Sequence, residues 1–113
     1  MSDTNPIIPR ASMAAKERRF RSQLAQLIDQ RGLIRGSLLV RRRRCGKPNC
    51  KCARGDGHQS LYLAISQAGR TRQLFVPKEY HAAVRQWVAD YHQAQELMEE
   101  ISRLYWEKVQ QRS

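Results

Sequence analysis

One run near the C-terminus restricts the fold more than any other feature, because residues 79–110 contain neither glycine nor proline. Apolar side chains recur in this run at alternating spacings of three and four, as expected for an α-helix that buries one face. These positions include Val84, Trp87, Tyr91, Ala94, Met98, Ile101 and Tyr105. About 30 residues at 1.5 Å per residue make a helix of about 45 Å. A small core cannot cover that length, so we expect the distal half to pack on a second helix or another chain.

A shorter helix is predicted near the N-terminus, from Ser12 to about Arg31. Ser12 is a suitable N-cap, and Gly32 can end the helix. The apolar face of this helix is formed by Phe20, Leu24, Leu27 and Ile28. The two apolar faces match, so we predict an antiparallel helical pair, either within one chain or across a dimer such as a coiled coil.

Between the helices the pattern becomes that of β-strands. Three runs have strand composition: Ser37–Arg43, Leu61–Ser66 and Thr71–Val76. The last two are joined by Gln67–Arg70, in which Gly69 supplies the positive φ that a short hairpin needs. The predicted fold is therefore α+β: an N-terminal helix, a small antiparallel β-sheet with a cysteine knuckle and a long C-terminal helix. The predicted divisions are a flexible tail at 1–11, a helix and linker at 12–35, a basic cysteine-rich β module at 36–78 and a long helix at 79–113.

Positive charge is concentrated in the predicted β module. The chain of 113 residues has a net charge of +11, and residues 30–78 hold twelve Lys and Arg against a single acid, Asp56. A segregated charge of this kind is the electrostatic footprint expected of a protein that binds a polyanion. Guanidinium groups can also grip phosphates through two hydrogen bonds. The candidate nucleic-acid contacts are Arg41, Arg42, Arg43, Arg44, Lys47, Lys51, Arg54, Arg70 and Arg72.

The choice of nucleic acid depends on the aromatic side chains near these cations. Tyr62 is the only obvious aromatic there that could stack on a base. Because recognition of single strands depends on such stacking, the composition favours a duplex over single strands. Between the two nucleic acids, we expect DNA rather than RNA.

Three cysteines and a histidine form the spacing C-x4-C-x-C-x5-H. Three thiolates and an imidazole are a suitable ligand set for tetrahedral Zn²⁺, which makes Cys45, Cys50, Cys52 and His58 the candidate metal ligands. The spacing leaves two alternatives open: reduced thiols in a loop, and a redox-active cysteine whose pKa is lowered by neighbouring cations. An odd number of cysteines within eight positions argues against the disulfide framework of a secreted protein.

The remaining residues do not indicate an enzyme. Most acidic side chains fall in the predicted C-terminal helix, and no paired acidic ligands of the nuclease or transposase kind lie in the central block.

Residues 1–10 lack the apolar segment of a signal peptide. The apolar runs Leu38–Val40 and Leu61–Ile65 are too short to cross a bilayer. We therefore expect a cytoplasmic protein that can associate with the nucleoid and has no membrane partner.

The segment CGKPNCKC, followed by Ala53-Arg54-Gly55 and His58, resembles a family of small prokaryotic proteins of unknown function. That family is marked by a CGKPxCxC motif and is often labelled transposase-associated. The resemblance extends from about Gly36 to Leu104, through the hairpin and the Trp-bearing helix. The resemblance implies an association with a mobile element and no particular chemistry. Together with the basic module, it leads us to expect a non-enzymatic DNA-binding accessory or regulatory protein of such an element. The alternatives are a scaffold subunit whose long helix docks on a larger recombinase-type protein or a second copy, and an RNA-binding factor.

Overall fold

The computed structural model describes residues 5–43 and 58–112. It has two main helices, α1 (Ala15–Gln30) and α2 (His81–Arg112), and short 3-10 turns at Arg10–Ser12 and Lys78–Tyr80. Between the helices lie three strands, β1 (Ser37–Arg43), β2 (His58–Gln67) and β3 (Arg70–Phe75). The predicted α+β class is confirmed, with an N-terminal helix, an antiparallel sheet and a long C-terminal helix. The predicted cysteine knuckle lies outside the described residues.

The three strands form one antiparallel sheet in the order β1-β2-β3. Val40 pairs with Leu61 across the first pair of strands, and Tyr62 pairs with Phe75 across the second. Because side chains alternate along a strand, Leu61 and Tyr62 lie on opposite faces of the sheet.

The hairpin between β2 and β3 has a two-residue loop, since Gln67 and Arg70 are paired. Ala68 has a φ of +52° and Gly69 a φ of +77°. Two consecutive positive φ values are the signature of a type I′ turn, whose twist suits a tight hairpin. The predicted positive φ at Gly69 is therefore present, and Ala68 adopts a conformation that alanine rarely takes.

Two compact units can be distinguished by their contacts. One, here called the sheet unit, is Gly32–His92, and the other, the helical unit, consists of Met1–Arg31 and Gln93–Ser113. The sheet unit therefore contains the first part of α2, and the helical unit contains its distal part. No helix in residues 5–43 and 58–112 is long and apolar enough to cross a membrane.

The core of the sheet unit lies on the Leu61 face of the sheet. Leu61, Val76, Val84 and Val88 are buried together, and partly buried apolar side chains pack against them: Ile34, Leu38, Leu63 and Trp87. The amide of Val76 donates to the carbonyl of Leu61 over 2.8 Å, which ties the residue after β3 to the central strand. The first turns of α2 thus cover one face of the sheet.

Trp87 is part of this sheet core, although the apolar spacing of α2 had suggested helix–helix packing for it. A Cβ added to Gly32 would lie 2.6 Å from Cδ1 of the Trp87 indole. Gly32 follows the helix end, as expected, and it also leaves space for this indole.

The start of α1 differs from the prediction. Ala14, rather than Ser12, is the N-cap residue, and it makes no side-chain capping hydrogen bond. The Ser12 hydroxyl instead donates to the Pro9 carbonyl over 2.8 Å. Met13 and Ala14 are extended, so the helix begins at Ala15. The hydroxyl that was expected to cap the helix is therefore bonded to the nearby Pro9 carbonyl instead.

Within the helical unit, α1 runs antiparallel to the distal part of α2. Near the start of α1, Glu17 accepts a hydrogen bond from Tyr105. Near the end of α1, Leu27 and Gln30 line a shallow cleft together with Gln93. The helical pair therefore forms within one chain, which was one of the two predicted arrangements.

Candidate nucleic-acid interface

One face of the sheet, opposite the core, is here called the open face. Every second residue of each strand has its side chain on this face, and none of the described side chains there is buried. They are Ser37, Leu39, Arg41, Ser60, Tyr62, Ala64, Ser66, Thr71, Gln73 and Phe75. No residue of β1, β2 or β3 is acidic. The open face therefore carries positive charge with no carboxylate on its own strands to repel a polyanion.

Four side chains form a row across the open face. The guanidinium carbon of Arg41 lies 5.2 Å from the centroid of the Tyr62 ring. The Arg41 Nη2 atom donates a hydrogen bond to Oε1 of Gln73 on the far strand. The rings of Tyr62 and Phe75 meet edge to face, with centroids 5.8 Å apart and planes at 72°. A cation and two aromatic rings are thus in contact on an exposed surface.

Among the predicted arginines, those whose side chains the structure describes fall into two groups. Arg41 and Arg42 lie where β1 ends, and Arg70 and Arg72 lie beside the hairpin turn. Arg41 pairs with Ser60, and Arg70 pairs with Gln67. These two residues of β2 are seven positions apart, so the two groups are separated by about 23 Å along the strand.

The two groups also differ in the face they occupy. Strand alternation places Arg41 on the open face and places Arg42, Arg70 and Arg72 on the Leu61 side of the sheet. All four side chains are exposed. The described arginines therefore do not form one continuous patch.

Arg35 joins the hairpin group, although it was not among the predicted contacts. Its Nη2 atom donates to the Ser66 carbonyl over 2.6 Å. Arg35 and Arg72 line a cleft together with Ile65. The high basic content of residues 30–78 was the only sequence signal for this residue, since strand alternation does not reach the segment before β1.

Most of the predicted metal ligands and several predicted contacts lie outside the described residues. They are Arg44, Cys45, Lys47, Cys50, Lys51, Cys52 and Arg54. Arg43 and His58 are described only as a backbone pair at the ends of β1 and β2. Within residues 5–43 and 58–112, no group of three His, Cys, Asp or Glu side chains is placed to hold a metal ion.

Sequence reasoning missed a charged cluster in the helical unit. Glu17 is only 1% exposed. Its Oε2 atom accepts hydrogen bonds from the Tyr105 hydroxyl over 2.7 Å and from Nε of Arg21 over 2.8 Å. Nζ of Lys108 lies 3.8 Å from Oε1 of Glu17 and 4.3 Å from the Tyr105 ring centroid.

These neighbours keep Glu17 ionised. Burial raises the pKa of this carboxyl, but hydrogen bonds from Tyr105 and Arg21 and the positive charges of Arg21 and Lys108 outweigh it, so the pKa is lowered. The pKa of Arg21 is raised, mainly by its hydrogen bond to Glu17 and to a lesser extent by its hydrogen bond to Tyr105. The carboxylate therefore holds the helical pair together. Its tertiary partners lie about 90 residues away in the chain, and only the spacing of Glu17 and Arg21 was a local signal.

Comparison with known proteins gives a family and no further relatives. A family model described as a domain of unknown function (DUF6788) matches residues 13–86. This confirms the expectation of a family of unknown function, although the description names neither a cysteine motif nor a transposase. No curated protein gives a significant match to the chain. No solved structure gives one either.

Proposed function

We propose that this chain, which belongs to the DUF6788 family of domains of unknown function, is a non-enzymatic DNA-binding accessory or regulatory protein. The observation that carries the proposal is the open face of the sheet, together with exposed arginines on strands that hold no acid. A role in a mobile element, as a transposition or recombination helper, rests on the resemblance of the CGKPNCKC segment. The proposal does not depend on that association.

The arrangement of the sheet supports binding to phosphates. Arg41 and Arg42 point to opposite sides of the end of β1, and both side chains are exposed. Four further candidate contacts, Arg44, Lys47, Lys51 and Arg54, follow them in the sequence. Neutralising several phosphates releases counterions, so the affinity is expected to fall steeply with salt.

The test is the double variant Arg41→Ala/Arg42→Ala, titrated with a fluorescent DNA duplex by anisotropy. At about 50 mM salt we expect its affinity to be roughly 10- to 50-fold below that of the wild type, because each phosphate that is no longer neutralised removes about 0.9 from the salt slope. The slope of log affinity against log salt should accordingly become shallower by up to about 2.

A charge-matched control distinguishes a site from bulk charge. Arg19→Ala/Arg103→Ala also removes two exposed arginines, but from α1 and the distal part of α2. We expect this control to change the affinity less than about threefold, the size of a long-range electrostatic effect. Wild-type protein without measurable affinity for DNA, or equal losses in both double variants, would reject the proposed interface.

A second candidate function, protein docking through α2, is favoured by one observation. Met98, Trp106 and Val109 are 49%, 67% and 70% exposed along the distal part of α2. An apolar stripe on a helix can bind a second copy or a larger recombinase-type protein. The Arg41→Ala/Arg42→Ala variant separates the two functions, because it should lose nucleic acid and keep a protein partner.

We also propose a structural Zn²⁺ site formed by Cys45, Cys50, Cys52 and His58. Arg43 and His58 are paired across β1 and β2, so the two described residues that flank the cysteines lie next to each other. This proximity supports a ligand set that includes both His58 and Cys45, which is two residues after Arg43 in the sequence. A tetrahedral site of three thiolates and one imidazole would suit zinc.

Metal analysis of the native protein tests this site. We expect about one zinc per chain, and we expect Cys50→Ser to lose the metal, since structural sites need all four ligands. Zinc should also protect the thiols from alkylation until a chelator is added. A zinc-free protein with three freely reactive thiols would contradict the proposal and favour the alternative of reduced cysteines.

A further inference from the structure

We propose that the open face binds the unpaired bases of a single nucleic-acid strand, which stack on the Phe75 ring and on the Arg41 guanidinium above Tyr62. This inference deepens the proposed function and rests on it, since it names the form of nucleic acid that this sheet recognises. The sequence had favoured a duplex over single strands because Tyr62 was the only obvious aromatic near the cations. The structure places Phe75 beside it.

Phe75 is the first element of the proposed binding surface. Its side chain is 53% exposed, although it belongs to a strand whose sheet buries apolar residues on the other face. It contacts Tyr62 edge to face, so the two rings do not stack on each other. Together with Tyr62 it makes a contiguous aromatic surface beside the Arg41 cation, and contiguous exposed apolar surface is what marks an interaction site. Because every base has an apolar π face, such a ring can stack on a base of any sequence.

Arg41 is the second element. Its side chain is exposed, yet its guanidinium is held over Tyr62 and hydrogen-bonded to Gln73. The group therefore loses little freedom when a ligand binds, which favours affinity. A guanidinium plane can stack on a base and can also pair with a phosphate. Arg41 thus extends the stacking surface of Tyr62.

Gln73 is the third element. Arginine has only donors, so the Gln73 oxygen must face Arg41 and the amide nitrogen must face elsewhere. Gln73 is exposed, and its NH₂ group is then oriented to donate to a base carbonyl or a ring nitrogen. Stacking by Arg41 and Phe75, with a donor between them, suits a base whose edge is not already paired.

A duplex would use this face poorly. Its base faces are covered by their neighbours, so only the cations of the sheet would contact it, through phosphates. The apolar surface of Phe75 would gain little. An unpaired strand would bury the aromatic surface and neutralise its phosphates at the same time, which is how proteins commonly bind single strands.

The experiment compares single-stranded DNA, the same sequence as a duplex, and single-stranded RNA by fluorescence anisotropy at about 50 mM salt. We expect Phe75→Leu and Tyr62→Leu each to lower affinity for single-stranded DNA by roughly 5- to 100-fold, the cost of losing one stacking ring. Duplex affinity should change less than twofold. Tyr62→Phe keeps the ring and should retain single-strand affinity within about threefold.

Leu74→Ala is the matched control, because Leu74 is adjacent to Phe75, 64% exposed and on the opposite face of the sheet. It should leave all affinities unchanged. Circular dichroism checks that each variant is folded. The RNA titration shows which sugar the face prefers, and loss of binding in the ring variants with either strand supports the inference.

The outcomes separate this inference from the proposed function. A wild-type protein that binds no nucleic acid overturns both. A wild-type protein that binds duplex as well as single strands, with both affinities unchanged in folded Phe75→Leu and Tyr62→Leu, overturns the stacking inference and leaves DNA binding through the arginines intact. Equal losses for duplex and single strands in the ring variants would also overturn it.

Discussion

Glu17→Ala is expected to destabilise the helical unit by about 3 kcal/mol, the scale of breaking a buried ion pair. The carboxylate is 1% exposed and accepts hydrogen bonds from Arg21 and Tyr105. Its removal leaves both donors without this partner and leaves a cavity between α1 and α2. The side chains of Arg21 and Lys108 are 39% and 56% exposed, so water can solvate their charges and the loss should stay near the lower end of the range for buried pairs.

Urea denaturation followed by circular dichroism measures this change. Glu99→Ala is a suitable control, because Glu99 is an exposed glutamate on α2, within the same helical unit as Glu17. It should change stability by less than about 0.5 kcal/mol, as surface substitutions commonly do. Tyr105→Phe removes only the hydroxyl and should cost about 1.5 kcal/mol, since it deletes one hydrogen bond to a charged group. Equal stability of Glu17→Ala and the wild type would show that the cluster contributes nothing.

The contribution of Glu17 should also depend on pH. Its pKa in the folded chain lies below the ordinary value of 4.5. Glu17 therefore contributes its full stabilisation above pH 4.5. This contribution is lost as the pH falls through the lowered value, because the unfolded chain then binds the proton first. The difference in unfolding free energy between the wild type and Glu17→Gln should accordingly shrink in acid. A difference that stays constant from neutral pH to acid would contradict this linkage.

The regular elements could be predicted because they depend on local patterns. Ser37–Arg43 was predicted as a strand and is one, since its apolar residues and arginines suit an extended backbone. The long helix followed from a run without glycine or proline. The hairpin followed from Gly69, which supplies a positive φ that other residues resist.

The features that could not be predicted depend on contacts between distant residues. Ser12 was expected to cap α1, but the carbonyl of Pro9 competes for its hydroxyl. Glu17 belongs to a helix whose buried face was expected to be apolar, and its burial depends on Tyr105 from the other end of the chain. Phe75 could be placed on a strand, but only the register with Tyr62 shows that both rings share the open face.

Leu61→Ala is expected to destabilise the sheet unit by about 3 kcal/mol, within the range for removing a buried leucine. Leu61 is 2% exposed and packs with Val76, Val84 and Val88. The alanine variant leaves a cavity between β2 and the first turns of α2. Because the packed interior relaxes only in part, the loss exceeds the transfer free energy of the deleted atoms.

Val40→Ala provides the control, because Val40 is the cross-strand partner of Leu61 and is 50% exposed. It should cost less than about 1 kcal/mol, since a half-exposed side chain buries less apolar area. Tyr62 follows Leu61 in the chain and lies on the other face, so Tyr62→Leu should alter nucleic-acid binding with little loss of stability. If Leu61→Ala instead weakened binding without lowering stability, the assignment of the two faces would be reversed, because a shift of one residue exchanges them.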